Sequence, residues 1–208
     1  MRAYDRVLVD VDTQVDFLDP KGKLPVPNGP AIYPAMERLF DFARRSGTPV
    51  ISSADEHSAH DPEFEQFGPH CEAGTAGQCK LSFTVLPRAT TIHSGDALLS
   101  DVDAMLDEHQ QLVFAKANLD VFANPWLGRL IDRLNVGEYI VFGVCTEYCV
   151  ETAVDGLLAR GAKVAVVTDA IRALDETEGA RVLQRMADQG VRLIRTADVI
   201  SGGDSQQK

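Results

Sequence analysis

The chain has 208 residues, 45% of them hydrophobic and 25% charged, the balance of one ordinary folded domain rather than of a disordered or fibrous chain. Its 20 Lys and Arg stand against 31 Asp and Glu, a formal charge of −11. That sign disfavours non-specific binding to nucleic acid phosphates or anionic lipid and favours a small neutral or cationic substrate. No stretch reaches the ~18 uncharged apolar residues of a membrane span. The opening MRAYDRVLVD runs straight into a strand pattern without a signal-peptide core, so a cytoplasmic protein is expected.

In chain order, a strand at 6–11 is followed by a helix at 31–46 and a strand at 49–54. After a long interval come a helix at 96–108, a strand at 112–116, a helix at 125–134, a strand at 138–143 and a helix at 147–160. A strand at 163–168, a helix at 176–189 and a strand at 191–195 complete the series. Most of the strands are apolar throughout, the pattern of strands buried on both faces of a parallel sheet. Gly47, Gly161 and Gly190 each close a helical segment just ahead of a strand. The expectation is a three-layer α/β/α sandwich with a mainly parallel central sheet, formed by a single domain over 1–200. The tail SGGDSQQK at 201–208 lacks apolar residues and is expected to be disordered. A homo-oligomer is compatible with this reading.

Between residues 54 and 99 the rhythm breaks, in a stretch rich in Gly, Pro, His, Cys and acidic residues. So long a loop in a compact domain is usually functional. In open α/β sheets ligands bind beyond the carboxyl ends of the strands. Just past those ends stand Asp12, then Asp55 and His57, then Lys116, then the run GVCTEYCVETA.

In that run Cys149 falls in the first turn of a helix starting near Thr146 or Glu147, where unpaired backbone N–H groups favour a thiolate. Taken singly, Cys149 reads equally as a small core cysteine, Asp12 as a strand-end cap and Lys116 as a snorkelling edge lysine. Taken together they complement one another. A carboxylate at Asp12 can accept the thiol proton while the Lys116 ammonium holds the charged forms, which makes a nucleophile without histidine.

The segment DTQVDF, the lysine of KANLDVFANP and the run GVCTEYCVETA resemble the three signatures of the isochorismatase-like cysteine hydrolases, with a resemblance spanning residues 6–200. Within that family the pattern is most similar to the nicotinamidases (pyrazinamidases). Their second strand ends in Asp-x-His, followed by a Pro-His-Cys segment and a Gly-Thr-x-Gly turn, and this chain has DEH and GPHCEAGTAG. The resemblance implies hydrolysis of nicotinamide to nicotinate and ammonia through a thioester, with Asp12, Lys116 and Cys149 as the triad. It implies an oxyanion hole from the backbone N–H groups of Cys145 and Cys149, in a turn shaped by a cis Val144–Cys145 peptide. It also implies a substrate ring clasped by Phe17 and Phe67, and a divalent metal on Asp55, His57 and His70. One carboxylate and two imidazoles suit zinc first, and iron or manganese as well, and leave positions open for water and substrate.

His60 is a spare candidate ligand. A structural zinc site on His70, Cys71 and Cys79 lacks a fourth ligand at the usual spacing. Two residues depart from the family pattern: Glu56 stands where tryptophan is usual, adding negative charge beside the metal, and Cys145 stands where alanine is usual. The alternatives are another small amide or carbamoyl compound on the same scaffold, or a non-catalytic thiol sensor built on Cys145 and Cys149.

Overall fold

The computed structural model of the protein describes residues 2–96 and 101–204. Among them seven strands form one sheet: β1 (Arg2–Val11), β2 (Val50–Asp55), β3 (Ala89–Ile92), β4 (Gln111–Lys116), β5 (Leu134–Val144), β6 (Val164–Arg172) and β7 (Arg192–Ile194). The spatial order is β3-β4-β2-β1-β5-β6-β7 and every pairing is parallel. The helices are α1 (Val15–Leu18), α2 (Tyr33–Ser46), α3 (Phe64–Phe67), α4 (Met105–Glu108), α5 (Pro125–Ile131), α6 (Glu151–Leu158), α7 (Glu176–Asp188) and α8 (Thr196–Asp204). The α/β sandwich is thus present, with a wholly parallel sheet flanked by helices. No helix among the described residues is long and apolar enough to cross a membrane.

Local sequence explains the elements. In α2, Met36, Leu39, Phe40 and Ala43 recur at helical spacing and are all buried. The helix stops at Gly47, whose φ of 72° is left-handed and whose N–H reaches Ala43 O at 2.9 Å. Asp175 caps α7 by accepting from Thr177 N–H (2.8 Å) and Glu178 N–H (2.9 Å). The strands β2 and β4 are buried at every residue, as central parallel strands must be. Across the sheet, Phe40 meets Phe142 of β5 edge to face at 5.9 Å.

Several expectations need correction. The strand β3 was not anticipated: ATTI is short, half polar and on the sheet edge, so it carries no apolar run. The helix expected at 147–160 begins as a π-helical turn, Thr146–Val150, before α6. Of the helix expected at 96–108, residues 97–100 lie outside the described residues, and the described remainder is turns followed by the single turn α4. The helix expected over 125–134 ends at Ile131, and Leu134 already belongs to β5. The helix α8 carries structure through 204, because Arg6 of β1 donates to Val199 O (2.8 Å) and Asp169 accepts from Thr196 N–H (2.8 Å). Residues 205–208 of the expected tail lie outside the described residues.

This topology places one crevice. The chain steps from β1 to β2 in one direction and later crosses to β5 on the other side of β1, so a switch point opens at the carboxyl ends of β2, β1 and β5. Gly143 lets β5 finish close against β1: its φ is +119°, and a Cβ there would sit 2.0 Å from Val11 O.

Candidate active site

Asp12 follows β1 with a left-handed φ of +47°, a conformation that non-glycine residues adopt mainly where the surroundings impose it. Its side chain is buried, and Oδ1 accepts from Ser53 Oγ at 2.6 Å. Lys116, the last residue of β4, reaches across the strand ends. Its Nζ lies 2.9 Å from Asp12 Oδ2, in direct contact with Asp55 Oδ1, 3.0 Å from Asn118 O and 3.5 Å from Cys149 Sγ. Cys149 is the fourth residue of the π-helical turn after β5 and is buried. Ligand-type atoms of Asp12, Asp55 and Cys149 all fall within 4.8 Å of one another. The turn itself starts with a cis Val144–Cys145 peptide, and Cys145 O accepts from Tyr148 N–H and Val150 N–H at 3.1 Å each.

Burial dominates the electrostatics. It raises the pKa of Asp12, with Lys116 pulling in the opposite direction. Burial would strip the proton from Lys116, yet Asp12 and Asp55 outweigh it and hold the ammonium well above its usual range. For Asp55 burial is again the largest influence, and Lys116 and His57 reverse it to leave the carboxyl below its usual range. Burial also drives the Cys149 thiol well above its usual value, with Lys116 only partly opposing. Burial therefore works against the thiolate that the position of Cys149 in the turn favours, and the Lys116 ammonium works for it.

On the other side of Asp55 lies a second cluster. Asp55, His57, Glu63 and His70 bring one ligand atom each to within 4.8 Å of the others. Asp55 Oδ2 is 3.7 Å from His57 Nε2 and 3.9 Å from His70 Nε2, and Glu63 Oε1 is 3.8 Å from His70 Nε2. These gaps are close to the roughly 3.4 Å between two ligands of a tetrahedral ion with bonds of about 2.1 Å. Both nitrogens of His57 are buried without an aligned hydrogen bond among the described residues, and two imidazoles with two carboxylates are a donor set for zinc, iron or manganese. The residues present fit a divalent ion.

Asp55, Glu63, His70 and Cys149, drawn from the two clusters, line a small cleft with Phe17, Phe67, Cys145 and Tyr148. Phe17 and Phe67 both pack against His70, with ring centroids 5.4 and 6.3 Å away, and Phe67 meets Tyr148 at 5.2 Å. All the singled-out residues thus converge: Asp12, Lys116, Cys149 and Cys145 on one side, Asp55, His57 and His70 on the other, and Phe17 and Phe67 between.

The remaining candidates stand outside that cluster. His60 is exposed and outside the four-residue cluster. Glu56 does not add its charge to that cluster: its carboxylate accepts from Gln78 Nε2 (2.9 Å) and lies 3.0 Å from His93 Nδ1. Cys71 is buried and Cys79 exposed, and neither joins a group able to hold a metal among the described residues.

The residues missed in the sequence are Glu63, Ser53 and Gln14. Gln14 donates to Asp55 O (2.8 Å) and Gln78 O (2.7 Å) and accepts from Asp55 N–H (2.7 Å), so an uncharged side chain fixes the backbone of the shared carboxylate. Glu63 is one of three acids, at 61, 63 and 65, within five residues. Nothing in the chain order separates them.

Residues 6–198 match the model of the isochorismatase domain family. The chain belongs to the isochorismatase family. It is 30% identical to the nicotinamidase of Escherichia coli K12 over 216 aligned positions, covering 93% of this chain and 96% of the relative. It is 26% identical to an Arabidopsis thaliana protein named a probable inactive nicotinamidase, covering 83% of each. The fold is shared with the pyrazinamidase of Pyrococcus horikoshii, whose crystal structure is a complex with zinc. The TM-score is 0.75 at 22% identity, covering 92% of this chain and 99% of that one. This chain is thus an isochorismatase-family hydrolase resembling nicotinamidases.

Proposed function

We propose that this single-domain protein is a cysteine amidohydrolase that converts nicotinamide to nicotinate and ammonia through a thioester on Cys149. The observation that carries the reading is Lys116 Nζ standing 2.9 Å from Asp12 Oδ2 and 3.5 Å from Cys149 Sγ, with Cys149 lining the same cleft as Asp55, Glu63 and His70.

Asp12 removes the thiol proton as Cys149 attacks the carboxamide carbon, so that the thiolate exists only while it is being consumed. The tetrahedral oxyanion is met by the backbone N–H groups of Cys145 and Cys149, where loss of one donor costs roughly 3 kcal/mol. Asp12 returns the proton to the leaving nitrogen and ammonia departs. Water, deprotonated by Asp12, then attacks the thioester, releasing nicotinate and restoring the thiol. Lys116 stays protonated throughout and offsets the negative charge gathered there. Phe17 and Phe67 hold the flat ring so that the carboxamide faces Cys149. Asp55, His57, Glu63 and His70 would hold a divalent ion, zinc in the first instance, which would supply Lewis-acid character beside the ring. Four free cysteines fit a reducing, cytoplasmic setting. The raised thiol pKa of Cys149 argues against the redox-sensor reading, since oxidation follows thiolate character.

Ammonia release should be measured across nicotinamide, pyrazinamide, benzamide and a carbamoyl compound. Nicotinamide and pyrazinamide are expected to lead, with benzamide, which lacks the ring nitrogen, far behind. Preference for the carbamoyl compound or for benzamide would overturn the substrate assignment.

A further inference from the structure

We propose that Asp61 is a positioning residue that fixes both His57 and Glu63 for metal binding, an inference that rests on reading their cluster as a divalent-ion site. Asp61 Oδ2 lies 3.1 Å from His57 Nδ1. Its other oxygen, Oδ1, accepts from Glu63 N–H at 2.9 Å. One carboxylate therefore holds two of the four members of the cluster, and it stands in the loop between them.

The consequence for His57 is a choice of tautomer. A neutral imidazole carries one N–H, and an ionised carboxylate only accepts. With Asp61 against Nδ1, the proton belongs on Nδ1, and Nε2 presents its lone pair toward Asp55 Oδ2. The 3.1 Å contact is short enough for a hydrogen bond but not fully aligned. His70 is arranged in the same sense by a different group: its Nδ1 lies 2.8 Å from Gly68 O, another acceptor, and its Nε2 faces Asp55 and Glu63. Two imidazoles that each place an acceptor behind Nδ1 and carboxylates before Nε2 are built for one ion. Phe64, whose ring centroid lies 5.4 Å from that of His57, confines the ring sideways.

The test is Asp61→Asn. In either amide orientation one contact is lost: NH₂ toward His57 favours the wrong tautomer, and NH₂ toward Glu63 N–H opposes donor to donor. Asp61→Ala removes both contacts. Zinc affinity, read by competition with a chromophoric chelator, should fall roughly 10- to 100-fold in Asp61→Asn, with circular dichroism of the metal-free protein unchanged. Nitrogen-15 NMR of the metal-free wild type should show His57 protonated on Nδ1, and the Asn variant should shift that tautomer. Wild-type zinc affinity in both variants would overturn the proposal. If the wild type binds no divalent ion, the metal reading falls. The tautomer then decides alone, and a wild-type His57 protonated on Nε2 removes Asp61 from the role.

Discussion

Lys116 and Asp55 face one another as register partners at the ends of β4 and β2, and the ammonium of the first contacts the carboxylate of the second. Asp55 turns Oδ1 to Lys116 and Oδ2 to His57 and His70. It therefore belongs at once to both side-chain clusters.

The nucleophile assignment predicts that Cys149→Ala reduces amide hydrolysis to background with the fold intact. Cys145→Ala should keep most of the activity, because only the backbone N–H of Cys145 is used. Steady-state rates of the two variants, with circular dichroism as the control for folding, check this. An inactive Cys145→Ala beside an active Cys149→Ala would reverse the assignment.

For proton transfer, Asp12→Asn and Lys116→Ala should each lose about 10³-fold or more in kcat, and the double variant should lose little beyond the worse single one, because the groups act as a unit. Near-normal turnover in Lys116→Ala would leave a simpler pair of Asp12 and Cys149.

Burial of Cys149 sets the pH behaviour. Its thiol pKa is raised, so below that value the thiol is protonated and thiolate grows as pH rises. Iodoacetamide labelling of the free enzyme should be slow at neutral pH and climb about tenfold per pH unit through pH 9. Asp12 must be ionised to act, and its pKa is also raised, so the acid limb of kcat/KM should lie above the ordinary carboxylate value of about 3.9. A labelling rate that reaches its plateau below pH 8 would indicate a preformed thiolate instead.

On the metal side, elemental analysis should find about one divalent ion per chain, as expected for a single site of this ligand type. Prolonged chelation should suppress nicotinamide hydrolysis, and zinc, iron or manganese should restore it. His57→Ala should lower metal content and raise KM more than it lowers kcat, because the ion orients the ring. Protein free of metal and still active on nicotinamide after chelation would remove the ion from the account.

The strands and the reactive residues at their ends were legible because an apolar run stopping at Asp12, Asp55 or Lys116 is a local pattern. Glu63 and Asp61 were not, since three acids within five residues differ only once the segment folds and two of them turn inward. Gln14 and Ser53 carry no charge to draw notice, yet they fix Asp55 and Asp12 through hydrogen bonds. The burial that opposes the Cys149 thiolate is not legible either, because position in a turn says nothing of how deeply the turn is buried. The direction taken by Glu56 depends on Gln78 and His93, which are 22 and 37 residues away along the chain. The helical start of the tail depends on Arg6, at the opposite end of the sequence.

The central claim, covalent catalysis on Cys149, is tested most directly by nicotinamide turnover in the presence of hydroxylamine, which attacks thioesters in competition with water. The account predicts nicotinohydroxamate forming at the expense of nicotinate, in a ratio that rises with hydroxylamine concentration, while ammonia release accompanies both products. Nicotinate formed in undiminished yield with no hydroxamate, at any hydroxylamine concentration the enzyme tolerates, would contradict it and point to direct attack of water on the amide.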